Sequence, residues 1–195
     1  MLILANTKGH AATKSKFCSQ SVHSIGRSKG QRMTLEKKLV KVGIGECKIS
    51  SSPEDTIRTF ALGSCVAVIV HDRKRKSAGL IHLALPDSNV NEQKAVAKPS
   101  YFVDTGLPLL LKQMGVSNGR RPDVSITLAG GSNIMDEENR FNIGKRNILA
   151  VKKCLWKHNL GVRAEDVGGS KSRTVSVDVA SGQVTVFSGD KTWTL

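Results

Sequence analysis

A chain of 195 residues with 39% apolar and 24% charged content can bury one sizeable core, and its longest apolar runs, such as Leu107 to Leu111, fall far short of the ~20 residues a membrane span needs. The formal charge of +14 raises the question of nucleic acid, yet half of the excess lies in residues 1–40, where eight bases meet the single acid Glu36. Aromatic content of 4% leaves little for base stacking, and the usual nucleic-acid-binding signatures are missing, so a nucleic-acid partner and direct membrane insertion are both set aside.

Residues 1–38 read as a disordered basic extension, rich in Ser, Lys, Gly and Thr and without sustained periodicity. Met1 to Ala5 is too short for a secretory h-region and lacks a basic segment before it, and Met33 offers an alternative start close to the folded domain expected over 39–195. Strands are expected over 39–48, 57–62, 66–72 and 79–85, the middle of this stretch being β-branched and apolar on both faces, as a buried strand requires. The turn from Arg73 to Ser77 between the third and fourth holds the cluster Arg73-Lys74-Arg75-Lys76, which is either solvated turn charge or a means of steering the protein toward an acidic helical partner. A helix is expected after Ser100 as N-cap and up to Gly115, kinked or split by Pro108. A strand over 123–129 follows, ending in the turn Gly130-Gly131-Ser132, which matches no phosphate-binding glycine pattern. A second, amphipathic helix runs from Asn142 to about Asn159–Gly161, with strands at 162–166, 173–179 and 183–188 after it, the last two joined as a hairpin through Ala180-Ser181-Gly182. The pattern is that of an α+β protein.

The strongest functional signal is a cysteine and a histidine seventeen residues apart, Cys65 and His82, at the open end of the hairpin formed by 66–72 and 79–85. If residues 72 and 75 pair, Cys65 faces His82 directly; if 72 and 77 pair, the two are diagonal neighbours on one face, roughly 5–8 Å apart between Cβ atoms in either case. That spacing suits a thiolate–imidazolium pair, in which the cation lowers the thiol pKa and makes a nucleophile at neutral pH. A packed core pair is the alternative, since free cysteine is often buried. Three features favour chemistry. Gly63-Ser64 before the cysteine lets the backbone turn and present N–H groups as an oxyanion hole; a histidine in an apolar strand must find a partner; and the hydroxyl or carbonyl of Thr59, six residues upstream of Cys65, could hold the imidazole in one tautomer.

The run Thr59-Phe-Ala-Leu-Gly-Ser-Cys65, the spacing to His82 and the Leu-Ala-Leu-Pro after it resemble the CheD chemoreceptor glutamine deamidases. The similarity continues in Ala129-Gly130-Gly131-Ser132, in Asn142-Ile-Gly-Lys-Arg-Asn147 and in Ala164-Glu-Asp-Val-Gly-Gly169 with Arg173 beyond, and runs from about Val40 to about Phe187. It places the family's catalytic Cys, His and Thr on Cys65, His82 and Thr59, and it implies a layered α/β sandwich with mixed sheets and the cysteine on a central strand hairpin. It further implies hydrolysis of glutamine amides on methyl-accepting chemotaxis receptors and a complex with a CheC-type phosphatase; a glutamyl methyl ester offers the same carbonyl with a better leaving group, so esterase activity is expected too, and the cysteine usage points to a cytoplasmic location. Gly130-Gly131-Ser132, Asn147 and Arg173 are then candidates for shaping the glutamine pocket, with Gly63 and Ser64 beside the nucleophile. Two other readings remain open: a binding module that docks such a phosphatase or a receptor, and a cysteine hydrolase acting on another amide or ester.

The other cysteines have plainer assignments, Cys18 in the extension, Cys47 in an alternating run and Cys154 on the apolar face of the second helix. Without a signal segment they point to reduced thiols. No Cys-x-x-Cys or His-Glu-x-x-His spacing is present, and neither a metal nor another cofactor is expected.

Overall fold

The structure, a computed structural model, describes residues 37–116, 121–134 and 141–195. The basic extension expected over 1–38 lies outside the described residues apart from Lys37 and Lys38, the latter opening the first strand. The strands are β1 (Lys38–Val42), β2 (Cys47–Ser50), β3 (Asp55–Leu62), β4 (Val66–Asp72), β5 (Ser77–Leu83), β6 (Val124–Gly130), β7 (Ala164–Val167), β8 (Arg173–Asp178), β9 (Val184–Ser188) and β10 (Lys191–Thr194). The helices are α1 (Glu92–Ala97), α2 (Val103–Gln113) and α3 (Ile143–Lys157).

Two five-stranded mixed sheets make the α+β frame, one ordered β1-β3-β8-β9-β10 and the other β2-β5-β4-β6-β7. In the second sheet β4 is central, hydrogen-bonded to β5 on one side and β6 on the other, and every residue of β4 and β5 is buried. The alternation of side chains along a strand divides this burial between two cores. Val66, Val68, Val70, Ile81 and Leu83 pack with Leu107, Leu110 and Leu111 of α2 and with Val151 and Leu155 of α3. Ala67, Ile69, Ala78 and Leu80 turn the other way, onto Ile57, Val175, Val177 and Val186 of the first sheet. The layers are therefore sheet, sheet and helices, and each fully buried leucine contributes about 1.5–3 kcal/mol of transfer free energy.

Several expectations need correction. The strand expected over 39–48 is two strands in two different sheets, divided at the Gly43–Glu46 turn. The first helix begins at Val103 with Phe102 as its N-cap, because Pro99–Tyr101 forms a separate 3-10 turn, so Ser100 caps nothing. Pro108 sits inside one continuous helix. The bond it cannot donate would have gone to the carbonyl of Asp104, an exposed residue in the first turn, where an unpaired carbonyl is open to solvent and costs little. Of the two registers expected for β4 and β5, the one that pairs Asp72 with Ser77 is found, so Cys65 is diagonal to His82. The cysteine is not on a hairpin strand: it is the last residue of the β3–β4 connection, immediately before β4. The strand β10 and the short helix α1 were not anticipated. Among the described residues, no helix is long and apolar enough to cross a membrane.

Candidate active site

Thr59 and His82 come from different sheets and meet in the core between them. Thr59 lies on β3, whose parallel neighbour β1 places Val42 beside it, and both Thr59 and His82 are almost completely buried. The Thr59 hydroxyl donates to the Val42 carbonyl at 2.8 Å, and Thr59 Oγ1 is 2.7 Å from His82 Nδ1. A threonine hydroxyl has one proton and the carbonyl can only accept, so the remaining contact assigns the donor role to Nδ1–H. Nε2 is thereby left bare, and it is buried with no hydrogen-bond partner among the described residues. The backbone of His82 is held as well, its N–H donating to Glu46 and its carbonyl accepting from Gly45.

Cys65 is positioned by a distortion in β3. The ladder with β8 shifts register between Thr59 and Leu62, and Ala61 takes a φ of 52°, a left-handed conformation that re-aims the chain after the threonine. The loop Gly63-Ser64-Cys65 that follows is held through its carbonyls: Ser132 N–H donates to Gly63 at 2.7 Å, Asn147 Nδ2 to Ser64 at 2.9 Å, and Gly131 N–H to Cys65 at 2.7 Å. Gly130 must be glycine here, since its φ is 102° and a Cβ would collide with the Cys65 carbonyl. Small residues flank the imidazole, Ala67 being paired with His82 on one side and Ala129 on the other.

A cavity of about 600 Å³ opens over the half-buried Cys65, with Gly63 and Ser64 on one wall and Ile134, Phe141 and Ile143 on another. Its combination of a thiol, loop backbone and apolar side chains suits an extended carbonyl compound with a hydrocarbon stem. Asn147 and Arg173 do not line it. Asn147 is fully buried on α3 behind the loop, and Arg173 braces the opposite wall, donating to the Ser132 hydroxyl, to the Gly168 carbonyl at 2.9 Å and to Asp166 at 2.8 Å. These two side chains therefore reach the pocket only through the residues they hold, Ser64 and Ser132.

The electrostatics also revise the expected ion pair. Burial pushes the Cys65 thiol above its ordinary range, opposed only by its own backbone N–H. Burial and the nearby Lys98 cation pull His82 down to about 4. Both shifts favour neutral groups, so the resting state is thiol plus imidazole, not thiolate plus imidazolium. A bare, uncharged Nε2 has the lone pair that a general base needs. Sequence reasoning overlooked the Val42 carbonyl, which only the β1–β3 pairing brings to Thr59. Asn147 did leave a signal, an amide among Gly144, Val151 and Leu155 on the buried face of a helix. Among the described residues, no group of three or more His, Cys, Asp or Glu side chains is arranged to hold a metal ion.

Residues 84–188 match the family model described as CheD chemotactic sensory transduction. A probable chemoreceptor glutamine deamidase CheD of Syntrophotalea carbinolica is 48% identical over 147 residues, covering 74% of this chain and 91% of the relative. The chemoreceptor glutamine deamidase CheD of Bacillus subtilis is 36% identical over 165 residues, covering 82% of this chain and 98% of the relative. A solved Neisseria meningitidis protein of the DUF152 family model aligns with a TM-score of 0.39 and 11% identity over 69% of this chain and 63% of its own, too distant to argue from.

Proposed function

The chain belongs to the CheD family, and from that premise we propose that it hydrolyses glutamine side-chain amides of methyl-accepting chemotaxis receptors to glutamate and ammonia, with Cys65 as nucleophile, His82 as general base and Thr59 as its orienting group. The observation that carries the assignment of roles is the 2.7 Å contact between Thr59 Oγ1 and His82 Nδ1, which leaves Nε2 as a bare base on the strand paired with β4, the strand that Cys65 immediately precedes.

The chemistry follows from these groups. Nε2 takes the thiol proton as sulfur attacks the amide carbon, and the negative charge that develops on the carbonyl oxygen is received by backbone N–H groups of Ser64 and Cys65. The imidazolium returns its proton to the departing nitrogen, which leaves as ammonia, and a thioester joins Cys65 to the substrate. Water then loses a proton to Nε2 as it attacks the thioester, and the sulfur departs and is reprotonated. A glutamyl methyl ester presents the same carbonyl with an easier leaving group, so esterase activity belongs to the same site. Among the described residues the thiols Cys47, Cys65 and Cys154 are free, which supports a reducing cytoplasmic setting, and family membership supports docking of a CheC-type phosphatase.

The test is mass spectrometry of receptor peptides incubated with the purified protein. Wild type converts specific glutamines with the roughly one-dalton gain of amide to acid and releases ammonia, and Cys65→Ala abolishes both. Ammonia release by Cys65→Ala at the wild-type rate would remove Cys65 from the mechanism; the absence of conversion by wild type would favour a docking role.

A further inference from the structure

Three successive carbonyls, those of Gly63, Ser64 and Cys65, are each engaged by a donor outside the loop. A trans peptide is planar, with its C=O and the following N–H pointing in opposite directions. Fixing a carbonyl therefore fixes the direction of the next amide. The Ser64 carbonyl, bound by Asn147 Nδ2 on the side away from the cavity lining, sends the Cys65 N–H in the opposite direction, and the Gly63 carbonyl, bound by Ser132 N–H, fixes the Ser64 N–H in the same way. Neither amide is bonded to another described residue, and the Cys65 N–H faces its own sulfur.

We infer that Asn147 is a positioning residue for amide hydrolysis, one that aims the Cys65 N–H at the developing oxyanion without touching the substrate. Its two donor hydrogens are both used on this task, one on Ser64 at 2.9 Å and the other on Ala84 at 3.0 Å, so it ties the loop before β4 to the chain just beyond β5. Full burial holds it in place, and its own Oδ1 makes no hydrogen bond, so the side chain is retained for its donors. The helix that carries it is seated unusually close: a Cβ at Gly144 would collide with the Gly131 carbonyl, so α3 reaches the loop only because that residue is glycine. A side chain without N–H groups at 147 frees the Ser64–Cys65 peptide to rotate, and one oxyanion donor is lost.

This inference rests on the deamidase reading with Cys65 as nucleophile, and the experiment separates the two. Asn147→Leu and Asn147→Ser are compared with wild type on a glutamine-containing receptor peptide and on its γ-methyl ester, alongside alkylation of Cys65 by iodoacetamide. Alkylation displaces iodide at a tetrahedral carbon and develops no oxyanion, so it reports the thiol and His82 but not the amide. In both variants kcat is expected to fall by about 100-fold on amide and ester, with KM within about threefold and the alkylation rate within about fivefold. The serine variant, with a smaller polar side chain, serves if the leucine variant does not fold. Unchanged kcat in a folded variant overturns the inference, as does a parallel 100-fold loss of alkylation, which would place Asn147 in thiol activation. Activity surviving in Cys65→Ala would instead overturn the deamidase mechanism itself.

Discussion

A threonine hydroxyl carries a single proton, and at Thr59 that proton goes to the Val42 carbonyl, which leaves its oxygen as an acceptor for His82. In this role it replaces the carboxylate of a Ser-His-Asp arrangement and fixes a tautomer without stabilising an imidazolium by charge. Thr59→Val removes the acceptor and leaves the Nδ1–H unpaired in the core, at a cost of about 1–3 kcal/mol in stability. Its kcat is expected to drop by about tenfold to a hundredfold, with most of the activity retained in Thr59→Ser; equal loss in both would point to packing of the methyl group rather than the hydroxyl. The low pKa of His82 gives a second expectation. Its folded value of about 4 is below the ordinary 6.5, so the unfolded chain binds the proton first as pH falls. Stability is therefore full above about 6.5 and declines through the interval down to 4, by about 3 kcal/mol in total. Acid denaturation followed by circular dichroism should show this decline in wild type and a shallower one in His82→Gln.

At the level of elements, the site depends on an irregularity in β3. Ala61 at φ 52° bears a Cβ in a region that disfavours one by about 1–2 kcal/mol, and glycine there would relieve the penalty while adding some unfolded-state entropy. Ala61→Gly is expected to gain about 0.5–1 kcal/mol in urea unfolding; a loss would show that the methyl group packs usefully at the cavity rim. Much of the element pattern was legible in the residues. The runs Val66–Asp72 and Val184–Ser188 announce strands by composition, and α3 by its apolar spacing. What local pattern could not convey is partnership: nothing in Val40-Lys-Val-Gly-Ile-Gly-Glu-Cys says that its halves belong to different sheets, since that is decided by contacts with β3 and β5. The same limit separates the site residues. Cys65, His82 and Thr59 are the residues proposed from spacing, and the Thr59–His82 contact agrees with that expectation, whereas the Val42 carbonyl and the Asn147 donors required the tertiary arrangement. The neutral resting state was missed because it follows from the depth of burial, which spacing does not measure.

For the molecule as a whole, charge and chemistry are kept apart. The cluster Arg73 to Lys76 closes β4 at the end opposite Cys65, about 20–25 Å away at ~3.3 Å per residue. Two of its four cations are also engaged in the fold, Arg73 with Asp123 and Arg75 with Asp72 and the Met114 carbonyl. Screening over about 8 Å at physiological salt weakens the field of the others at the cavity, so the expected effect of this turn on a short substrate reaching Cys65 is small. The Lys74→Glu, Lys76→Glu double variant should keep kcat/KM within about twofold at 0.15 M salt; a larger fall would require a partner long enough to span both ends of the sheet. The relay has a further bearing on the molecule's behaviour. Its hydroxyl is supplied by one five-stranded sheet and its imidazole by the other, at a separation of 2.7 Å, so the two layers must be seated to within a fraction of an ångström for the proposed base to be formed. Catalytic competence is thus a property of how the layers are stacked, and a loosened state that kept every strand but let the sheets slide would be silent as an enzyme.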